Sequence, residues 1–228
     1  MTLRVAYDLR PAQGPHRYRG IGRYTRCLAE ALARIGGCEL VTLGWAGLEP
    51  AAQIPLPLPR DRILLRWAGT DPAAGTTFDP PALWQAGAWW RQVELPRLLR
   101  RLGVDLVHHP DWDLPLWQPV PTVVTIHDAA GLGRHGGPPV LPSAHGAYRW
   151  RRLAARRAAA VLTNWGAIRD DLIALIPLDG RRLEAIPLGL ETRFRPPPPS
   201  ALEAVKRRYR LPDAYLFYAG GLDRQCRS

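Results

Sequence analysis

Thr122-Val-Val-Thr-Ile-His-Asp128 is a β-branched run that ends on a histidine and an aspartate. Apolar β-branched residues without a polar alternation read as a strand covered on both faces, which is the mark of a parallel sheet. Outward from it, the same grammar repeats. Upstream lie strands at Leu3 to Leu9, Glu39 to Leu43, Arg62 to Trp67 and Asp105 to His108; downstream lie Ala160 to Asn164 and Leu183 to Pro187. Between them run helical stretches. Apolar positions at Leu28, Ala31, Leu32 and Ile35 define one that stops at Gly36-Gly37. Others cover Pro81 to Leu102 with an interruption near Pro96, Ser143 to Arg157, and Ala167 to Ile176. Strands alternating with helices of this length predict an α/β fold, a doubly wound, Rossmann-like parallel sheet. Ligands of such sheets sit beyond the carboxyl ends of the strands. Asp8, His108, His127 and Asn164 all end strands, so one polar rim is expected there.

The chain has 228 residues, enough for one large domain or one domain and part of a second. No apolar run reaches the ~18 residues of a membrane span, and the start, Met1-Thr-Leu-Arg-Val-Ala-Tyr7, lacks the apolar stretch of a secretory signal. Cys27, Cys38 and Cys226 stand at spacings that suit neither a disulfide framework nor a zinc site, so a cytoplasmic protein is expected. The formal net charge is +11, and Lys206 is the one lysine in the basic set. Guanidinium groups suit phosphate. That leaves nucleoside diphosphates, an anionic membrane surface or nucleic acid as partners, and no nucleic-acid-binding signature accompanies the charge.

Four constellations carry potential chemistry. Arg19-Gly20-Ile21-Gly22-Arg23 falls between the first strand and first helix. Glycines there let a ligand approach the backbone, and the helix N-terminus offers free N–H groups to a phosphate. His127-Asp128 sits at a strand's carboxyl end, where the imidazole can bind a sugar hydroxyl or phosphate, act as acid or base, or simply be satisfied by a loop carbonyl. His108-His109-Pro110-Asp111-Trp112-Asp113 invites a metal reading, but adjacent residues of an extended segment point to opposite faces. Arg149, Arg152 and Arg156 share one helix face beside Trp150, as a basic stripe suited to an anionic bilayer or as a solvated face.

In this order, the motifs resemble the N-terminal half of a GT-B glycosyltransferase of family 4, the retaining enzymes that include many mannosyltransferases. The resemblance is carried by the strand and Gly-Ile-Gly-Arg-Tyr-Thr segment within Met1 to Arg34, and by Asp105-Leu-Val-His-His-Pro110. It continues in Val123-Val-Thr-Ile-His-Asp128, Ala160 to Leu172, Ile186-Pro-Leu-Gly-Leu-Glu191, and Tyr215 to Asp223. It implies donor-phosphate contacts at Gly20, Gly22 and Arg23, and a catalytic role near the transferred sugar for His127 with Asp128. No metal and no cofactor are implied. The substrates would be a nucleotide-sugar donor, GDP-mannose or another NDP-hexose, and a glycan or lipid-linked acceptor in polysaccharide biosynthesis, with peripheral contact at the inner face of a membrane. Two positions depart from the pattern: Asn164-Trp165 stands where serines are common, and Leu188 replaces an asparagine.

The resemblance also sets expectations for the carboxyl end. Residues 1–195 would be the acceptor-side domain, 196–212 a linker with a short helix at Ala201 to Arg210, and 213–228 the start of a donor-binding Rossmann-like domain. Its first strand would be Ala214 to Ala219. Gln225-Cys-Arg-Ser228 then departs from the basic residue and phosphate-contacting lysine that usually follow. The expectation is a second domain truncated after its first strand, and a chain inactive by itself. The alternative from another class is a non-catalytic module that binds a glycan or a membrane surface.

Overall fold

The computed structural model describes residues 2–13, 19–45, 62–65, 90–129, 142–191 and 194–218. They divide into two units, Met1–Ile186 and Pro187–Ser228. The first unit is built on seven parallel strands: β1 (Leu3–Asp8), β2 (Cys38–Trp45), β3 (Arg62–Leu65), β4 (Leu106–His109), β5 (Thr122–Ile126), β6 (Ala160–Thr163) and β7 (Leu183–Ala185). Their spatial order is β3-β2-β1-β4-β5-β6-β7. The order reverses between β1 and β4, which creates a crevice beyond the carboxyl ends of those two strands. Register there is set by Val5, Ala6 and Tyr7 opposite Leu106, Val107 and His108.

The helices of this unit are α1 (Gly20–Ile35), α2 (Leu95–Leu102), α3 (Pro142–Ala155) and α4 (Gly166–Leu175). β1 shows why the sheet must be covered twice. Val5, Tyr7 and Leu9 pack with Ala29, Leu28 and Leu32 of α1. Ala6 lies in another cluster with Val41, Leu43, Val107 and the α2 residues Leu95 and Leu99. Alternate residues of one strand thus feed opposite cores. A third cluster joins Val124 and Ile126 of β5 with Ala154 and Ala155 of α3 and Leu172 of α4. The glycine stops work as expected: Gly36 and Gly103, both at positive φ, follow α1 and α2, and the Gly36 N–H closes on the Leu32 carbonyl.

Several expectations need correction. Gly20 and Gly22 are not in a loop; they form the first turn of α1, with Arg19 as its extended N-cap. First-turn N–H groups have no partner within a helix, so glycine interrupts no bond there. The interruption expected near Pro96 is a change of helix type between Glu94 and Leu95, not a break. Pro96 occupies the first turn of α2, where its missing N–H costs nothing, behind a π-helical turn at Trp90–Glu94. β4 extends one residue further than expected, to His109, and β5 and β6 stop one residue short of His127 and Asn164.

In the second unit, α5 (Pro199–Tyr209) forms where a short basic helix was expected. Tyr215 to Tyr218 do not form the expected strand. The second unit contains no strand among its described residues, and a strand exists only through the ladder it shares. Residues 66–67 of the third expected strand, 81–89 of the long helix, and residues 219–228 with Gly220-Gly221 and Cys226 lie outside the described residues.

Candidate functional site

The crevice at the switch between β1 and β4 is lined by charge that is almost wholly withdrawn from water. Asp8, the last residue of β1, is buried. Its Oδ1 accepts from the Arg10 Nε at 2.8 Å and from the Arg10 backbone N–H at 3.1 Å. Its Oδ2 accepts from the Arg10 Nη2 at 2.5 Å and from the His109 Nδ1 at 3.0 Å. Burial alone would raise the Asp8 carboxyl, but the Arg10 charge and the donated bonds outweigh it and hold the group well below the usual carboxylate range. Burial likewise works against the Arg10 charge, and Asp8 reverses the effect. The guanidinium also lies over the Trp90 ring, 4.6 Å from its centroid.

His108 and His109 are adjacent, and they do point apart. While His109 faces Asp8, the His108 Nε2 lies 2.9 Å from the Thr125 Oγ1. Thr125 is also bonded to the Tyr24 hydroxyl at 3.1 Å. Burial first, then the charge of His109, push His108 down to about 4, so it is neutral at neutral pH. Tyr7 packs edge-on against it, at 5.3 Å between ring centroids. Among the described residues no group of His, Cys, Asp and Glu side chains has the arrangement of a metal site.

His127, half-buried just beyond β5, has both ring nitrogens engaged. Its Nε2 lies 2.8 Å from the Pro110 carbonyl, which can only accept, so Nε2 carries the proton. Nδ1 then accepts from the Asn164 Nδ2 at 2.8 Å. The loop-carbonyl reading of this histidine therefore holds in this structure: its tautomer and ring orientation are fixed, and it has no free lone pair for proton abstraction. The holder is Asn164, one of the two positions where the sequence departs from the family pattern. Asp128 follows as an exposed residue.

α1 reaches the same place through Tyr24. Tyr24 stands edge-on to His127, with ring centroids 4.7 Å apart at 81°. Gly20 to Arg23 occupy the turn directly before it; among the described residues no side chain caps this N-terminus, and Gly22 is buried. Among the described residues a Cβ at Gly20 would meet nothing within 4 Å, so their packing does not require a glycine there. Arg23 is exposed on the same turn. The structure thus places Tyr24, the residue after the glycine segment, against His127. Sequence reading missed Arg10, Tyr24 and Thr125. An Asp-x-Arg at a strand end was a usable signal for the first; the others needed the fold.

A second group borders the rim after β4. The Asp113 carboxylate pairs with Arg91, and the Asp111 carboxylate accepts the Trp112 N–H at 2.7 Å. Burial, then the neighbouring Asp113 charge, raise Asp111 above its ordinary value. Together the rim gathers three imidazoles, hydroxyls, the first turn of α1 and carboxylates.

A doubly wound sheet with its polar crevice at the switch point places the chain in a class that includes solved glycosyltransferases. Anabaena Alr3699/HepE in complex with UDP-glucose is similar over 91% of this chain and 50% of that one, at 13% identity and a TM-score of 0.57. Its complex with UDP and glucose gives 92%, 50%, 13% and 0.55. A glycosyltransferase from Rickettsia africae is similar over 93% of this chain and 50% of that one, at 13% identity and a TM-score of 0.50. This chain therefore spans about half the length of those structures. No curated protein sequence matches it. The sequence model of Glycosyltransferase Family 4 matches residues 18–194, most of the chain, and the protein belongs to that family.

Proposed function

We propose that this chain is the acceptor-side half of a retaining hexosyltransferase that uses a nucleotide sugar, with the transferred sugar of the mannose or glucose class and GDP-mannose or another NDP-hexose as donor. The observation that carries the reading is the Tyr24 ring, in the turn after Gly20 to Arg23, standing edge-on to the fixed ring of His127. Family membership and the likeness to a fold solved with UDP-glucose support it. In this reading the sugar C1–O bond to the diphosphate breaks, and its electron pair leaves with the nucleotide. The acceptor oxygen bonds C1, and its proton passes to the departing diphosphate oxygen. The α1 N–H groups and Arg23 stabilise the departing charge, and they are positioned before reaction. His127, with Asp128 after it, contacts the transferred sugar through its Nε2–H once that donor turns from Pro110. Asn164 positions the ring.

The acceptor is a glycan or a lipid-linked sugar, and the reaction belongs to polysaccharide biosynthesis in the cytoplasm, at the inner membrane face. No cofactor and no metal take part. On its own the 228-residue half binds donor weakly and does not turn it over. Calorimetric titration of the chain with GDP and UDP tests the site. Weak binding is expected, lowered several-fold by Arg23→Gln and by Gly20→Leu, the latter filling open space without disturbing a packed contact. Absent binding, or binding indifferent to both changes, overturns the site; turnover of GDP-mannose or UDP-glucose by the chain alone overturns the claim of inactivity.

A further inference from the structure

Local stability and solvation both argue against the residue at position 165. β6 ends at Thr163 and α4 begins at Gly166, so Asn164 and Trp165 make the turn at the carboxyl end of the sheet. Asn164 is buried, and its amide holds the His127 ring at 2.8 Å. Trp165 is the N-cap of α4, with an extended backbone and a carbonyl that accepts the Arg169 N–H at 3.1 Å. An N-cap favours serine, threonine, aspartate or asparagine, whose side-chain oxygen accepts from the first turn. Indole has a donor and no acceptor, and among the described residues no side chain caps α4. A tryptophan there forgoes the stabilisation that a small polar side chain supplies.

Packing does not compensate. Thr163 and Asn164 are buried, but Trp165 is 61% exposed. The tryptophans after β4 and before α2 behave differently: Trp112 and Trp90 are half-buried, each with a guanidinium over its ring, Arg151 at 5.9 Å and Arg10 at 4.6 Å. A residue that breaks a local rule without a gain in packing is expected where a ligand supplies the gain.

The place of Trp165 on the rim says which ligand. α1 packs on β1 and reaches His127 through Tyr24. β6 flanks β5 on the other side, away from β4 and β1. Adjacent strands lie about 4.8 Å apart, so the group next to a sugar held at His127, on the side away from α1, falls at the end of β6. A pyranose suits an indole: its C–H groups form an apolar face that lies flat on the ring, and its hydroxyls remain at the edge for water and polar neighbours.

We propose that Trp165 is a specificity residue of the acceptor subsite, a platform on which a pyranose ring of the acceptor stacks. Calling that ring the acceptor rests on the transfer reading above; the stacking itself does not.

The test is titration of the isotopically labelled full chain with methyl α-mannopyranoside and methyl α-glucopyranoside, followed at the Trp165 indole N–H. Its resonance is identified as the one missing from Trp165→Phe. A saturable shift is expected with at least one glycoside and none with mannitol, an open-chain polyol without a flat C–H face. Trp165→Ala is expected to weaken glycoside binding roughly tenfold, and Trp165→Phe to keep it within about threefold. Trp165→Ser carries the sharpest sign. It restores a capping side chain, so the urea unfolding midpoint should rise while glycoside binding falls; a purely structural tryptophan would lower the midpoint.

An indole resonance that no glycoside moves, binding indifferent to Trp165→Ala, or a lowered midpoint for Trp165→Ser overturns the proposal. A shift with GDP or UDP alone would make the platform a nucleobase site, and a shift with UDP-glucose but with neither free glycoside would assign the ring to the donor; both overturn it. Nucleotide binding is read separately, at the Gly20 to Arg23 amides, and is expected to be unchanged in the Trp165 variants. Glycoside stacking without nucleotide binding would remove the transfer reading and keep the platform, and nucleotide binding without glycoside stacking would do the reverse.

Discussion

The two ends of the sheet use similar residues in opposite ways. At the rim, arginine, aspartate and histidine are buried and bonded to each other: Asp8 holds Arg10 and His109, Thr125 joins His108 and Tyr24, and His127 is held between Pro110 and Asn164. At the other end, where the helices finish, Arg34, Arg101 and Arg156 stand in water. Desolvated charge must be paired, so rim residues define one geometry and tolerate little change. Solvated charge costs little to keep and little to lose.

This contrast predicts a ranked series of effects. The largest is for Asp8→Ala, which leaves Arg10 and His109 buried without their acceptor; a loss of about 3–5 kcal/mol is expected by urea unfolding. A loss below about 1 kcal/mol would erase the distinction between the two ends. Next is acid pH. His108 titrates at about 4 in the folded chain against an ordinary 6.5. The unfolded chain therefore takes up a proton first, and this contribution is full above about pH 6.5 and lost as pH falls toward 4. It amounts to about 3 kcal/mol, since each pKa unit is about 1.4 kcal/mol. Asp8, lowered in the folded state, adds its loss only as pH falls below the usual carboxylate range. Unfolding midpoints measured from pH 7 to 4 should show this slope, and His108→Gln should flatten it.

A smaller effect is expected for Asn164→Ala. Removing the donor to the His127 Nδ1 costs about 1–2 kcal/mol, and because the Pro110 carbonyl still holds the proton on Nε2, the nitrogen shifts of the imidazole should show the same tautomer with a freed Nδ1. A switch of the proton to Nδ1 would show that Asn164, not Pro110, sets the tautomer. The smallest is for Arg156→Gln at the other end, within about 0.5 kcal/mol by the same unfolding assay. A larger cost would mean that charge at this end is structural.

The difference between the ends also explains what the sequence could reveal. Strand and helix order was legible because β5 and its relatives are apolar on both faces and because Gly36 ends α1 where a left-handed residue is needed. The polar strand ends were legible for the same reason, so the rim was located. Its wiring was not. Asp8 and His109 are 101 residues apart, as are Tyr24 and Thr125, and only the register of β1 on β4 and the seating of α1 join them. His127 read as a candidate base, but the amide that occupies its lone pair comes from the end of another strand. Gly20 and Gly22 read as a loop because glycine is costly inside a helix, and that cost does not apply in a first turn whose N–H groups have no partner. Tyr215 to Tyr218 read as a strand because their apolar pattern is strand-like, yet pattern does not supply a neighbour to pair with.

The central claim, that the nucleotide diphosphate meets the first turn of α1 at the rim, is tested most directly by amide chemical-shift mapping of the labelled chain during titration with GDP or UDP. The expected result is a set of shifts centred on Gly20, Ile21, Gly22 and Arg23 and extending to His127 and Asn164. Shifts confined to Arg149 through Arg156, or none at either end, would contradict it.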